Sequence, residues 1–68
     1  MEMMTLDVVH KILRLSFPTC NLLELSEGFH KHMRGQTIAM FNGQVMYYLS
    51  DVEKYIVNVS NRICTDLC

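Results

Sequence analysis

Four small groupings of reactive side chains stand out in the sequence. His30 and His32 flank Lys31. On a strand both imidazoles would point the same way, which suits a metal pair or an anion contact that strengthens as pH falls. No cysteine lies near them, and neither C-x-x-C nor H-E-x-x-H occurs, so no metal site is expected. Cys20 acts as a nucleophile only beside a positioned base and an oxyanion site. No such set is recognisable, and a small buried thiol at a helix start accounts for it. Glu24 and Glu27, three positions apart, read as a solvated helix face rather than an acid–base pair. Cys64 and Cys68 read as thiols at a frayed end. With neither a catalytic set nor a cofactor loop, the expectation is a non-enzyme with no cofactor and no small-molecule substrate, which works by binding another macromolecule.

A chain of 68 residues is enough for one domain over positions 1–68 and not for two. A domain this short buries only about 60% of the surface its unfolded chain exposes. Half of the residues are apolar and 19% are charged. That balance allows folding and also leaves apolar surface for a partner. No apolar run reaches the ~20 residues of a membrane span, so no membrane partner is expected. Met1-Glu2-Met3-Met4 does not read as a signal peptide. Three cysteines form no even framework, and with no export signal they read as reduced thiols in a cytoplasmic protein. The net charge of −1 argues against indiscriminate nucleic-acid binding. Its distribution is uneven, because the stretch from Val8 to Tyr48 carries +2 from Lys11, Arg14, Lys31 and Arg34 against Glu24 and Glu27. Only that mildly basic middle can face phosphate.

Local patterns set out the elements that would position these groups. Thr5 can cap a helix with Asp7 in its first turn, and Val8, Val9, Ile12, Leu13 and Leu15 recur at helical spacing, so a helix is predicted from about Leu6 to Leu15. Ser16-Phe17-Pro18-Thr19 stops it. A second helix is predicted from near Phe17, with Ser16 as cap and Gly28 as its end. A sharp angle between the two would follow from so short a join. Phe29 to Gly35 reads as a basic loop. Asn42-Gly43 predicts a two-residue type I′ hairpin between strands Thr37–Phe41 and Gln44–Leu49. Met40 then faces Val45 and Ile38 faces Tyr47 on a core face, with Thr37, Ala39, Phe41, Met46 and Tyr48 on the other. Ser50-Asp51-Val52-Glu53 reads as a capping box, opening a third helix to about Asp66 with a stripe of Val52, Tyr55, Ile56, Val59, Ile63 and Leu67.

Several stretches together resemble a known family. They are Leu6-Asp7-Val8-Val9, Leu13-Arg14-Leu15-Ser16, Thr19 three positions after that serine, Glu27-Gly28-Phe29, Gly35, and Gly43 through Ile56 with its Tyr48-Leu49-Ser50-Asp51-Val52-Glu53 core. Over Leu6 to Ile56 the chain is similar to the winged helix-turn-helix domains of the MerR and phage-excisionase type. The resemblance implies a small α+β fold, ordered helix, helix, hairpin, helix. It implies double-stranded DNA as partner, with the second helix in the major groove and the hairpin wing on the backbone. It also implies a role in transcription regulation or excision, in phage or mobile elements. The DNA-facing candidates are then Phe17, Thr19, Asn21, Lys31, Arg34 and Asn42. Asn21 would pair with adenine and Phe17 would touch a thymine methyl. The exposed face of the second helix differs from the family in having no arginine or lysine between Arg14 and Lys31.

A different class of function competes with this one. The outer hairpin face of Phe41, Met46 and Tyr48 suits a protein partner, since methionine-rich surface adapts to what it meets. The end of the third helix, positions 57–68 with Val59, Ile63 and Leu67, suits a homodimer or partner seam. The same fold would then serve as a protein-binding adaptor or inhibitor.

Overall fold

A computed structural model describes residues 2–36 and 38–63 of the chain. The first helix, α1, runs over Leu6–Ser16 as expected. Thr5 stands at its cap in an extended conformation, with its hydroxyl accepting the Val8 N–H at 3.5 Å. Asp7 lies in the first turn and Arg14 in the last, each at the favourable end of the helix dipole. The buried stripe is narrower than the predicted one. Val9 and Leu13 are fully enclosed, whereas Val8 is exposed and Leu15 keeps 82% of its surface in solvent.

The second helix differs most from expectation. Phe17 to Cys20 form a turn closed by the Cys20 N–H to the Phe17 carbonyl at 3.2 Å, with Pro18 at the second turn position that its fixed φ suits. The helix α2 therefore spans Leu22–His32, with Asn21 and not Ser16 as its cap. Gly28 lies inside α2 rather than ending it, and the predicted basic loop from Phe29 onward is largely the second half of this helix. A turn over residues 33–35 follows.

The predicted hairpin is present with the predicted register. Its strands are shorter: β2 is Ala39–Phe41 and β3 is Gln44–Tyr48, pairing Met40 with Val45. Asn42 and Gly43 both take positive φ, as a type I′ turn requires. Ile38 precedes the strand, Thr37 lies outside the described residues, and Leu49 belongs to the next helix. An unpredicted two-residue strand, Met3–Met4, pairs antiparallel with the far edge of β3. Numbering it β1 gives the sheet order β1-β3-β2. Two residues carry no periodicity of their own, so only the finished sheet reveals them.

The last helix, α3, covers Leu49–Ile63. Ser50 is its second residue and so is not its cap. The Leu49 N–H instead donates to the Glu2 carbonyl at 3.0 Å. Val52, Tyr55 and Val59 are buried along its inner face, as the stripe implied.

Phe29, expected in a loop, is the largest fully buried side chain. It meets Tyr47 and Tyr55 edge-on, with ring centroids 5.1 and 5.5 Å apart. Tyr55 reaches from α3 across α2 and donates its hydroxyl to the Leu25 carbonyl at 2.7 Å. Gly28 is what allows that approach, because a β-carbon there would collide with the Tyr55 hydroxyl. Gly28→Ala is expected to destabilise the fold by about 1–3 kcal/mol in urea titration, although in an open helix it would stabilise by about 1 kcal/mol. Tyr55→Phe alone should cost about 1 kcal/mol for the lost hydrogen bond. The double variant should be less damaged than the two losses added together, since removing the hydroxyl clears the space. A Gly28→Ala chain as stable as wild type would refute the close contact.

Candidate nucleic-acid interface

The start of α2 is built by Asn21, whose side-chain oxygen accepts the Leu23 N–H at 2.9 Å and the Glu24 N–H at 3.3 Å. This cap is the reason the helix begins at Leu22, five residues later than the predicted start near Phe17. The signal was present in the sequence as Asn21-Leu22-Leu23-Glu24, an N-cap with an acidic residue three positions on. The delayed start rearranges the predicted site. Phe17 falls into the core with only 7% of its surface exposed, out of reach of any base. Thr19 is exposed in the turn before α2 and not on the helix. Asn21 is exposed, but its acceptor oxygen is engaged by the backbone.

The face that α2 does present to solvent consists of Leu23, Glu24, Glu27, His30 and Lys31. Two of its members, Glu24 and Glu27, are carboxylates, which repel phosphate and can accept only from donors such as a cytosine amino group. His30 and His32 lie two positions apart on a helix and so point to different sides, which removes the strand-like metal pair. His32 is half-buried with its ring 5.4 Å from that of Tyr55, whereas His30 is exposed.

Positive charge converges elsewhere. His10, Lys11 and Arg14 of α1, with Leu15 and with Leu22 of α2, line an open groove of about 400 Å³. His10 Nε2 and Ser26 Oγ share a hydrogen bond of 2.9 Å that ties the two helices beside it. Since His10 meets Ser26 and Arg14 meets Leu22, α1 and α2 run in opposed directions here. The groove therefore sits where the N-terminal end of α2 meets the C-terminal end of α1, and the two helix dipoles oppose each other there. Lys31 and Arg34 lie at the opposite end. Lys31 is in the last turn of α2, about 14 Å further along the helix axis than Leu22. The four cations thus form two groups rather than one patch. Among the described residues, none of the four is in an ion pair.

The hairpin extends past the core. Tyr47 is buried, but Met40, Val45 and Ile38, assigned to the core face, are all exposed, Met40 to 64%. The core ends at Tyr47 and leaves the outer half of the ribbon with nothing to pack on. On the other face Met46 and Tyr48 are half-buried and Phe41 is 58% exposed. The tip residues Asn42 and Gly43 are exposed. On α3, Val59 is part of the core and offers nothing to a partner. The side chain of Ile63, and all of Cys64, Leu67 and Cys68, lie outside the described residues. Cys20 is buried in the turn before α2, close to where a structural thiol was expected. Among the described residues, no helix is long and apolar enough to cross a membrane.

No known family model, curated protein or solved structure matches this chain.

Replacing Asn21 tests what that residue does. Asn21→Ala is expected to lower stability by about 1 kcal/mol, with Asn21→Asp close to wild type, as read by thermal or urea unfolding. An Asn21→Ala chain of unchanged stability would remove the capping role.

Proposed function

We propose that this chain is a small DNA-binding protein of the winged helix-turn-helix kind, a minor regulator or an excisionase-like factor. The observation that carries the reading is the convergence of His10, Lys11 and Arg14 on one groove at the N-terminal end of α2. A phosphate at its rim would meet the charged ends of Lys11 and Arg14, with His10 beside them. It would also set α2 beside a duplex with its N-terminal half toward the bases. The order helix, helix, hairpin, helix supports the same reading, as does an exposed hairpin tip able to lie along a neighbouring stretch of backbone. Base discrimination would then fall to the exposed positions in that half of α2, chiefly Glu24 and Glu27, and not to Phe17 or Asn21. Lys31 and Arg34 would supply a second, separate backbone contact.

So few phosphate contacts imply modest affinity and a shallow salt dependence. With about four cations engaged, the logarithm of the binding constant should fall with that of salt at a slope of about −3 to −4. Selection from a random duplex library at low salt, followed by fluorescence anisotropy, tests this. The expected result is one enriched site. Lys11→Ala with Arg14→Ala should weaken binding on every sequence and reduce the slope by about 2, and Glu27→Ala should relax preference at one base pair. A library with no enriched site would end this reading.

A second reading, a protein-binding adaptor, is favoured by a specific observation: apolar residues are exposed on both faces of the hairpin. The two readings share the hairpin, whose tip would serve the first and whose apolar faces would serve the second.

A further inference from the structure

Of the residues that line the groove between α1 and α2, His10 alone has a charge that is not fixed. Lysine and arginine keep theirs across the physiological range, whereas histidine is the side chain that gains or loses a proton between about pH 5 and 8. The His10 ring is half-buried, and its Nε2 lies 2.9 Å from Ser26 Oγ. In the neutral ring that bond forms either way, with Nε2 donating to the hydroxyl oxygen or accepting from the hydroxyl. In the charged ring both nitrogens donate, and Nε2 donates to Ser26 Oγ. The tie between α1 and α2 therefore survives the gain of a proton. What changes is a full positive charge beside Lys11 and Arg14.

The surroundings of the ring supply no anion of their own. On α1, Asp7 stands one turn before His10, Lys11 follows it and Arg14 stands one turn after. On α2, Glu27 follows Ser26, and His30 lies one turn beyond it. β3 and α3 also pack on α1, on the side that buries Val9 and Leu13. β3 has no charged residue and brings only Tyr47 and Tyr48 as titratable groups, while α3 carries Asp51, Glu53, Lys54 and Arg62. Among the described residues, Ser26 is the hydrogen-bond partner of the ring and no carboxylate pairs with it. A partner that favours the charged ring must therefore come from outside, as an anion at the rim of the groove.

We propose that His10 is a third, titratable phosphate contact of this groove, positioned by Ser26, so that DNA is held more tightly as pH falls. The inference rests on the DNA-binding reading of the groove and adds its regulation by pH. Binding and protonation are linked: the ring takes a proton from solvent as the phosphate arrives and returns it on release. Each further phosphate neutralised steepens the salt dependence by about 0.9 in logarithmic slope, which at about 0.1 M salt is a gain of about five- to tenfold in affinity. His30 and His32 are not placed for this role. His30 lies in the last turn of α2, away from Leu22, and His32 sets its ring against that of Tyr55.

Fluorescence anisotropy with a short DNA duplex of mixed sequence tests it, as salt series at about pH 8 and about pH 5.5. Phosphate contacts carry no sequence information, so no selected site is needed. The full chain should bind about five- to tenfold more tightly at the lower pH in about 0.1 M salt, with a slope steeper by about 1. His10→Gln keeps an amide able to bond to Ser26 but takes no charge, and it should lose that difference. His10→Lys carries a fixed charge and should bind about equally at both pH values. Ser26→Ala should shrink the gain without abolishing it. Helical circular dichroism at both pH values checks that each variant is folded. A second readout needs no variant: in a nuclear magnetic resonance titration the His10 ring should take its proton at higher pH with the duplex than without it. Binding at pH 8 with no gain at lower pH, a gain that survives His10→Gln or is lost instead in His30→Gln, or a ring that titrates alike with and without duplex overturns the proposal and leaves the DNA-binding reading intact. A chain that binds no duplex at either pH overturns both.

Discussion

The close approach of Tyr55 to α2 at Gly28 fixes more of this molecule than any other contact. One side chain from α3 crosses the middle of α2, bonds to the Leu25 carbonyl, and packs edge-on against Phe29, which in turn packs on Tyr47 of the sheet. Three elements are thereby joined through two aromatic pairs and one buried hydrogen bond. Such pairs each contribute about 0.5–1.5 kcal/mol beyond their burial, and the hydrogen bond about 1 kcal/mol. A domain of this length has a total stability of about 3–10 kcal/mol, so this one junction is a large share of the whole.

The same junction decides where the candidate site lies. With α2 held by Phe29 and Leu25 on its inner side, its outward face is limited to Leu23, Glu24, Glu27, His30 and Lys31. The hydrogen bond between His10 and Ser26 then sets α1 beside it, which places Lys11 and Arg14 next to Leu22. Neither lysine nor arginine needs a specific partner to reach this position. The backbones carry them there, and their stems line the groove while their charges face solvent.

How much of this was legible in the sequence varied with the range of the forces involved. Elements fixed by local chemistry were readable. Thr5 as cap, the end of α1 before Pro18, the type I′ turn at Asn42-Gly43 and its register, and the inner stripe of α3 all follow from neighbouring residues. The start of α2 was misjudged because Pro18 serves equally well in a first helical turn and at the second position of a β-turn. Asn21, the stronger cap, decided between them. Gly28 looked like a helix end because glycine usually costs a helix stability. Its real reason is Tyr55, a residue 27 positions later that no local pattern connects to it. Strand β1 was invisible for a similar reason, since two methionines become a strand only when β3 is there to pair with. In the site, the groove cations were noted as charges, but their meeting beside Leu22 depends on how α1 lies against α2.

The outer hairpin shows how a small core shapes the surface around it. Alternation along β2 and β3 predicts one buried face, and the pleat does place Met40 and Val45 on one side as the register requires. Burial needs a second layer, however, and the two tyrosines and Phe29 complete the core at the inner end of β3. Among the described residues no further helix lies over the rest. The apolar residues beyond Tyr47 therefore gain their cross-strand contacts and little more, a smaller contribution than full burial would give. Phe29, Tyr47 and Tyr55 are thus held by the whole fold, whereas the outer ribbon is held by its turn and its cross-strand pairs, Met40 with Val45 and Phe41 with Gln44.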